Sequence, residues 1–353
     1  MRCILRRETD PYFNLAAEEY VFKNFEEDTF MLWRNEPSVI IGKHQNAFAE
    51  VNALFIKQNN IKVVRRISGG GAVYHDTGNL NFTFTSKAEP EHLVDFKRYT
   101  APIVKALEKL GIEVTEGARN SLYINGLKFS GNAEHVYKEK VIHHGTILFN
   151  CNLEALHESI KPPVTEYKDK AVKSIRSKVT NISGFLKPPV AGMFDRGSND
   201  LKDSGDNDID IKDFAGYILH EVLDSFGNAY VYEFTDQDIA SINGLAGSKY
   251  SGWEWNYGYS PPFSFDATIR ISVHPFQATF FIVNGIITEI KPKGKLKSRK
   301  DADEVIRLLT SQPFNDEILI KYLENKLPED RVTSLIESLF YGFNAEHLHT
   351  AGV

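Results

Sequence analysis

The pattern of apolar and polar positions predicts short strands interrupted by helices along most of the chain. Ala17, Val21 and Phe25 recur four residues apart with Phe22 beside them, which predicts a helix capped by Asn14. Glu18 and Glu19 then fall in its first turn, where the helix dipole favours acids. Apolar runs predict strands over 29–33 and 38–41, and the second ends in the polar loop 42–46. A short helix over 51–58 leads to a buried strand over 61–64. A helix over 99–110 follows, with Thr100 as cap, Ile103, Leu107 and Leu110 as its stripe and Gly111 as its stop. A strand is expected over 112–115 and another over 146–150. Phe214, Ile218 and Val222 mark a later helix, a strand is expected over 229–234, and Thr235 with Asp238 forms a capping box. Past Gly247, alternating strands over 263–272 and 277–283, a return through 286–290 and three helical stripes (304–309, 318–327, 332–339) predict a small α+β domain.

The stretch from Lys62 to Thr85 is the one around which the rest is arranged. Its strand ends in Arg65 and Arg66, three glycines follow at Gly69 to Gly71, and Phe82 and Phe84 alternate with Asn81, Thr83 and Thr85. Three consecutive glycines are entropically unfavourable to order, so the loop is either a flexible hairpin tip or a backbone that approaches an anion closely. Downstream, Asn125-Gly126 between 122–124 and 127–129 is a two-residue hairpin signature. It pairs Ile124 with Leu127 and puts Lys128 opposite Tyr123, on a rigid element. A small-residue loop is expected directly after it, over 130–133. Adjacent histidines His143 and His144 on one strand face opposite sides, which argues against a shared metal. Residues 161–181 hold six Lys or Arg and two acids and read as a mobile basic loop, with a helix from Ser174. Such a loop suits either a lid or plain solvent. The tract 187–210 reads as a surface insertion, and 291–300 as a basic patch that is solvated or meets an acidic partner.

Composition narrows the class. With 42% hydrophobic and 25% charged residues over 353 positions, the chain is an ordinary globular protein long enough for two domains. A net charge of -6 gives no bulk attraction to nucleic acid. Two cysteines, Cys3 and Cys151, are too few for a disulfide framework and suit a reducing compartment. No apolar run nears the ~18 residues that span a bilayer. A cytoplasmic protein without membrane or nucleic-acid partners is expected.

Five blocks together resemble the lipoate–protein ligases, relatives of the biotin ligases. They are RRISGGGAVYHDTGNLNFTF (65–84), GARNSLYINGLKFSGNA (117–133), HHGTILFN (143–150), KSIRSKVTNI (173–182) and WEWNYG (253–258). Their order and spacing agree over about 250 residues, and concordance of five blocks is far more specific than any one. The resemblance implies an α+β fold, with a mixed-sheet catalytic domain over 1–249 and a small accessory domain over 250–353. It implies a two-step reaction: lipoate attacks the α-phosphate of ATP to form lipoyl-adenylate, and a lysine of an acceptor domain then displaces AMP. Carried over, Lys128 is the catalytic residue. Arg66, Gly71, Ala72, Val73, Tyr74, Asn120 and Lys128 meet the nucleotide, and Arg66, Ser68, Gly69, Gly70, His75, Lys128 and His144 meet lipoate. The resemblance places Mg2+ near Asn120 and implies no metal held by protein ligands alone. Its acceptors are apo-lipoyl domains of 2-oxoacid dehydrogenase acyltransferase subunits and the glycine cleavage H protein. A rigid strand lysine suits the chemistry, since its charge can hold carboxylate and phosphate together. Phe82, Phe84, Trp33 and Val39 are expected either to wall the apolar slot for the acyl chain or to be ordinary core. The 187–210 insertion departs from the family pattern.

Two other classes compete. An acyltransferase of the same fold would use Cys151 as nucleophile without ATP, although the sequence sets no base beside it. A non-catalytic lipoate-binding module is the third. The intact KFSGNA block around Lys128 and the accessory domain favour the ligase.

Overall fold

The computed structural model describes residues 1–88, 95–117, 120–161, 165–186 and 209–341. Ala118 and Arg119 of the second block, residues 162–164 of the basic loop and 187–208 of the insertion lie outside the described residues.

The chain forms two compact units. The first comprises residues 1–43, 62–157 and 175–251, the second 44–61, 158–174 and 252–353. The division is therefore not a single cut: two short segments of the N-terminal half belong with the C-terminal unit.

The first unit is built on a six-stranded mixed sheet. In chain order its first elements are β1 (Arg2–Leu5), helix α1 (Pro11–Asn24), β2 (Thr29–Trp33), β3 (Ser38–Ile41), β4 (Lys62–Arg65), β5 (Val73–His75) and β6 (Asn79–Lys87). β7 (Thr115–Gly117), β8 (Ser121–Ile124), β9 (Leu127–Ser130), β10 (Asn132–Tyr137) and β11 (Lys140–Leu148) follow. The large sheet runs β10-β11-β6-β2-β1 and ends on the strand Tyr230–Val231. β10, β11, β6 and β2 pair antiparallel, and β1 is parallel to β2. Two three-stranded sheets, β4-β3-β5 and β7-β8-β9, complete the frame.

Several elements differ from the sequence reading. α1 starts at Pro11 with Asp10 as cap, since proline presets the first turn. Asn14 is instead buried inside it, its amide donating to the carbonyls of Glu8 and Arg34. Glu18 and Glu19 are consequently mid-helix and buried, so dipole attraction is not what holds them. Asp95, rather than Thr100, caps the helix Phe96–Lys109. The helix read over 51–58 lies at Ala53–Gln58, and a separate short helix, Ala47–Glu50, precedes it. The strand read over 112–115 lies at Thr115–Gly117. β10 takes in Asn132 and Ala133 of the small-residue loop read over 130–133, because its backbone pairs with β11 along its length. No helix begins at Ser174; Lys128 N–H donates to Lys178 O and Thr180 N–H to Lys128 O, which holds that stretch extended along β9.

The Asn125-Gly126 turn is as expected, with φ of 50° and 75°, Ile124 opposite Leu127 and Tyr123 opposite Lys128. The Thr235–Asp238 capping box also forms, ahead of the helix Asp236–Leu245.

In the second unit, Tyr167–Asp169, Phe263–Ile269, Phe276–Val283 and Ile286–Lys293 make an antiparallel sheet. The alternation in Phe263–Ile269 buries Phe263, Phe265, Ala267 and Ile269 and leaves Asp266 and Thr268 outside. Helices Arg299–Leu309, Asp316–Glu324 and Glu329–Ile336 bury Val305, Leu319, Leu323 and Leu335 in the core that includes Phe265, Phe280 and Phe314.

Candidate active site

The site is read within the first unit, where β11 acts as its spine. Residues two apart on a strand share a face, about 6.8 Å apart. His144 and Thr146 are such a pair. His144 Nε2 lies 2.6 Å from Ser68 Oγ in the glycine-rich loop, and Thr146 Oγ1 accepts from Gly131 N–H, immediately after the strand that carries Lys128. One face of one strand thus anchors both the glycine loop and the turn beside Lys128. The sequence separates these segments by about sixty residues, so only the sheet brings them together.

The loop is shaped by Arg66. Its Nε donates to Ser68 Oγ, Nη1 to Ile40 O, and Nη2 to both Gly69 O (2.6 Å) and Gly71 O (2.8 Å). A trans peptide sets N–H opposite C=O, so the Gly70 N–H points away from the guanidinium. Gly70 itself sits at φ +94°, open to glycine alone at low strain. Gly42 must be bare too: a Cβ there would lie 2.1 Å from Gly70 O. Burial pulls the Arg66 pKa down to about 10, with Glu18 opposing the shift. Arg65, also buried, donates to the carbonyls of Gly42 and Lys43 on the neighbouring loop. Both arginines therefore brace backbone, which is how a glycine-rich segment keeps one conformation.

Behind the loop runs a chain of buried polar groups. His144 Nδ1 lies 2.9 Å from Glu18 Oε1, Thr83 Oγ1 donates to the same oxygen at 2.6 Å, and Trp33 Nε1 donates to Thr83 Oγ1. Nδ1 thus faces the Glu18 carboxylate and Nε2 the Ser68 hydroxyl. The order Ser–His–carboxylate matches an activated nucleophile, but Ser68 Oγ is fully buried and also accepts from Arg66. Here the chain holds the loop. Glu18 is thus a site residue that the sequence reading missed, and an acid flanked by the apolar stripe of α1 was the available signal.

Lys128 is half-buried and its backbone is pinned from both sides, by Tyr123 of β8 and by 178–180. Its ammonium lies against Gly131, where a Cβ would fall 3.2 Å from Nζ and 3.3 Å from Cε. Asn120 stands just before β8 in left-handed backbone, φ 57°. Tyr74 and Ala72 are buried, Val73 and Gly71 half-buried. Phe82 and Phe84 belong to the main core, with Phe82 stacked 5.8 Å from the His143 ring; Trp33 and Val39 are also buried.

His75 supplies a polar atom with no partner among the described residues. Its Nδ1 lies 3.2 Å from Asn35 Nδ2, whose orientation follows because Asn35 Oδ1 accepts from Asn14. The proton therefore resides on Nε2, which is buried without a hydrogen bond among the described residues, as is Asn81 Nδ2. Burial, then the Arg66 charge, lowers the His75 pKa to about 3, so the ring is neutral and offers a donor. Buried unpartnered polar atoms near a loop of this kind are what a ligand would satisfy.

Cys151 is buried, and burial followed by Asp76 pushes its thiol well above the ordinary range. Its N–H and C=O are both bound by the Asn181 amide. A thiol so disposed is a core residue rather than a nucleophile.

Known proteins agree with this architecture. The family model of the lipoyl protein ligase A/B catalytic domain matches residues 10–221. Lipoate-protein ligase LplJ of Bacillus subtilis is 34% identical over 319 residues, 89% of this chain and 91% of the relative. Lipoate–protein ligase 1 of Staphylococcus aureus is 39% identical over 290 residues, 81% and 82% of the two chains. The structure of a lipoate-protein ligase A bound with ATP covers 73% of this chain and 98% of its own, at a TM-score of 0.58 and 24% identity, a likeness of fold. The chain belongs to the lipoate–protein ligase family. It is a ligase of the α+β class, and no helix among its described residues is long and apolar enough to cross a membrane.

Proposed function

We propose that the chain is an ATP-dependent, AMP-forming lipoate–protein ligase. The observation that carries the reading is the attachment of the glycine loop and the Lys128 turn to one face of β11, through His144 and Thr146. In the first step a lipoate carboxylate oxygen bonds to the α-phosphorus of ATP, and the bond to the β-phosphate oxygen breaks, releasing pyrophosphate. In the second, the ε-amine of an acceptor lysine attacks the acyl carbon. The bond to AMP breaks, and the amine's proton goes to solvent.

Each residue has a part. The Lys128 ammonium holds the carboxylate and the α-phosphate together and offsets the charge that develops there. Arg66 acts by fixing the loop, whose Gly70 to Tyr74 segment meets the ligands. Ser68, Gly69 and His144 form the wall beneath, and the His75 Nε2–H donates to lipoate. Asn120 meets the nucleotide. Among the described residues no three His, Cys, Asp or Glu side chains gather as a metal site, so Mg2+ fits here as a passenger of the nucleotide phosphates with an amide oxygen such as that of Asn120 nearby. Residues 1–249 serve as the catalytic domain and 250–353 as the accessory one. The acceptors are apo-lipoyl domains of 2-oxoacid dehydrogenase acyltransferase subunits and the glycine cleavage H protein, modified in the cytoplasm.

Lipoate-dependent exchange of labelled pyrophosphate into ATP tests the first step without any acceptor. The ligase exchanges label only when lipoate is present; acyl transfer between carrier proteins in the absence of ATP, with no exchange, would overturn the reading.

A further inference from the structure

His143 faces the opposite side of β11 from His144, is fully buried, and sits between two acceptors. Its Nδ1 lies 2.9 Å from Glu134 Oε1 and its Nε2 lies 3.2 Å from Asn132 Oδ1. The Asn132 amide is oriented by its other end: Nδ2 donates to Asn120 O at 2.7 Å and to Ser130 Oγ at 3.3 Å, and a backbone carbonyl can only accept. Oδ1 must therefore face His143, and Nε2 must carry a proton. With Nδ1 against the Glu134 carboxyl, Nε2–H points at Asn132. The surroundings are fitted to this arrangement. The Phe82 and Tyr99 rings lie near parallel to the imidazole, at 5.8 and 5.2 Å. Any side chain at Gly145 would put its Cβ 2.2 Å from Asn132 Oδ1.

We propose that His143 is a positioning residue for the nucleotide half of the site, acting through Asn132 on Asn120. Asn120 holds left-handed backbone immediately before β8, a conformation that asparagine tolerates only at some strain. The bond from Asn132 fixes the Asn120 carbonyl and with it the peptide leading into the strand opposite Lys128. The same amide reaches Ser130, so one side chain ties Asn120 to the strand that carries Lys128. The chain Glu134–His143–Asn132–Asn120 thereby connects the interior of the sheet to an exposed site residue. The inference rests on the ligase reading only for the role of Asn120.

Asn132→Ala removes the bridge at its exposed end. The KM for MgATP in the exchange reaction is expected to rise about tenfold, the effect of one lost hydrogen bond. The KM for lipoate stays within about twofold, a split that general loosening of the fold would not produce. His143→Gln, which keeps a donor near the Nε2 position, retains more activity than His143→Leu. Asn132→Ala combined with His143→Leu is no worse than the weaker single variant, because both act along one chain. Hydrogen exchange of the wild type and Asn132→Ala gives an arm independent of activity, with faster exchange expected in the amides of 120–123. Unchanged KM values, equal rises for both substrates, additive losses or unaltered exchange at 120–123 would each overturn the proposal. If His143→Leu does not fold, Asn132→Ala decides alone. A wild type without exchange activity would remove the ligase reading, and the hydrogen-exchange arm would still decide whether Asn132 holds Asn120.

Discussion

Replacing Gly131 by alanine tests how closely Lys128 must be placed. The new Cβ would stand 3.2 Å from Lys128 Nζ and 3.3 Å from Cε, with Thr146 Oγ1 at 4.0 Å. Ordinary contact begins near 3.4 Å and is comfortable toward 4 Å, so the ammonium must retreat by roughly 0.2–0.8 Å. Because it ends a flexible side chain, it can do so without disturbing β9. Gly131 has no left-handed φ, so alanine fits its backbone and narrows the unfolded ensemble, changing stability by about 0.4–1 kcal/mol in the favourable direction. Activity responds differently, because a misplacement of about 1 Å lowers rate roughly a hundredfold. The retreat then corresponds to a loss of about two- to fortyfold in lipoate-dependent exchange, at an unchanged or higher Tm. In a Lys128→Ala background, itself down at least about tenfold, the same substitution has nothing left to displace and adds no further loss. A Gly131→Ala variant with wild-type exchange, or one whose loss persists undiminished without Lys128, would refute the reasoning.

Other expectations follow from single contacts. Gly42→Ala sets a Cβ 2.1 Å from Gly70 O, a backbone atom that cannot swing aside, so the glycine loop shifts; exchange activity collapses and denaturant titration shows a loss of about 1–3 kcal/mol. Cys151→Ser leaves most ATP-dependent activity, with a stability loss of about 1–3 kcal/mol from an underused buried hydroxyl, whereas a cysteine-dependent transferase would be dead. Burial works to raise the Glu19 pKa, but hydrogen bonds from Lys23, Lys249 and Tyr250 outweigh it and leave the value below the ordinary 4.5. The stability Glu19 contributes is therefore complete above about pH 4.5 and declines as pH falls below it. Thermal melts of Glu19→Gln against wild type show a gap at neutral pH that closes in acid.

Features with a local cause were legible in the sequence. Asn-Gly turns require left-handed backbone at both positions, so Asn125-Gly126 announced its hairpin and the register of Lys128 with it. Thr235 and Asp238 satisfy each other across three residues, and that box formed as read. Features whose cause lies elsewhere in the chain were hidden. Glu18 is buried because His144 and Thr83 meet it, partners 126 and 65 residues away. The loop read over 130–133 gives way to β10 at Asn132, a residue with little strand propensity, because β11 supplies the pairing. The strand Tyr167–Asp169 exists by pairing with Phe263–Phe265, nearly a hundred residues on, and the helix expected from Ser174 lost to backbone bonds with β9. The contacts that the motif residues make were hidden too. Arg66 read as an anion ligand in its own right, and only the fold reveals that four of its contacts go to Ile40, Ser68, Gly69 and Gly71.

The central claim is that this chain joins lipoate to an acceptor lysine at the expense of ATP, with Lys128 at the point of reaction. Mass spectrometry of an apo-lipoyl domain incubated with the protein, lipoate and MgATP addresses it most directly. The account predicts a gain of one lipoyl group on a single lysine, with AMP released in equal amount, no gain when ATP is omitted, and a rate at least about tenfold lower with Lys128→Ala. Full modification without ATP, or an undiminished rate from the Lys128→Ala protein, would contradict it.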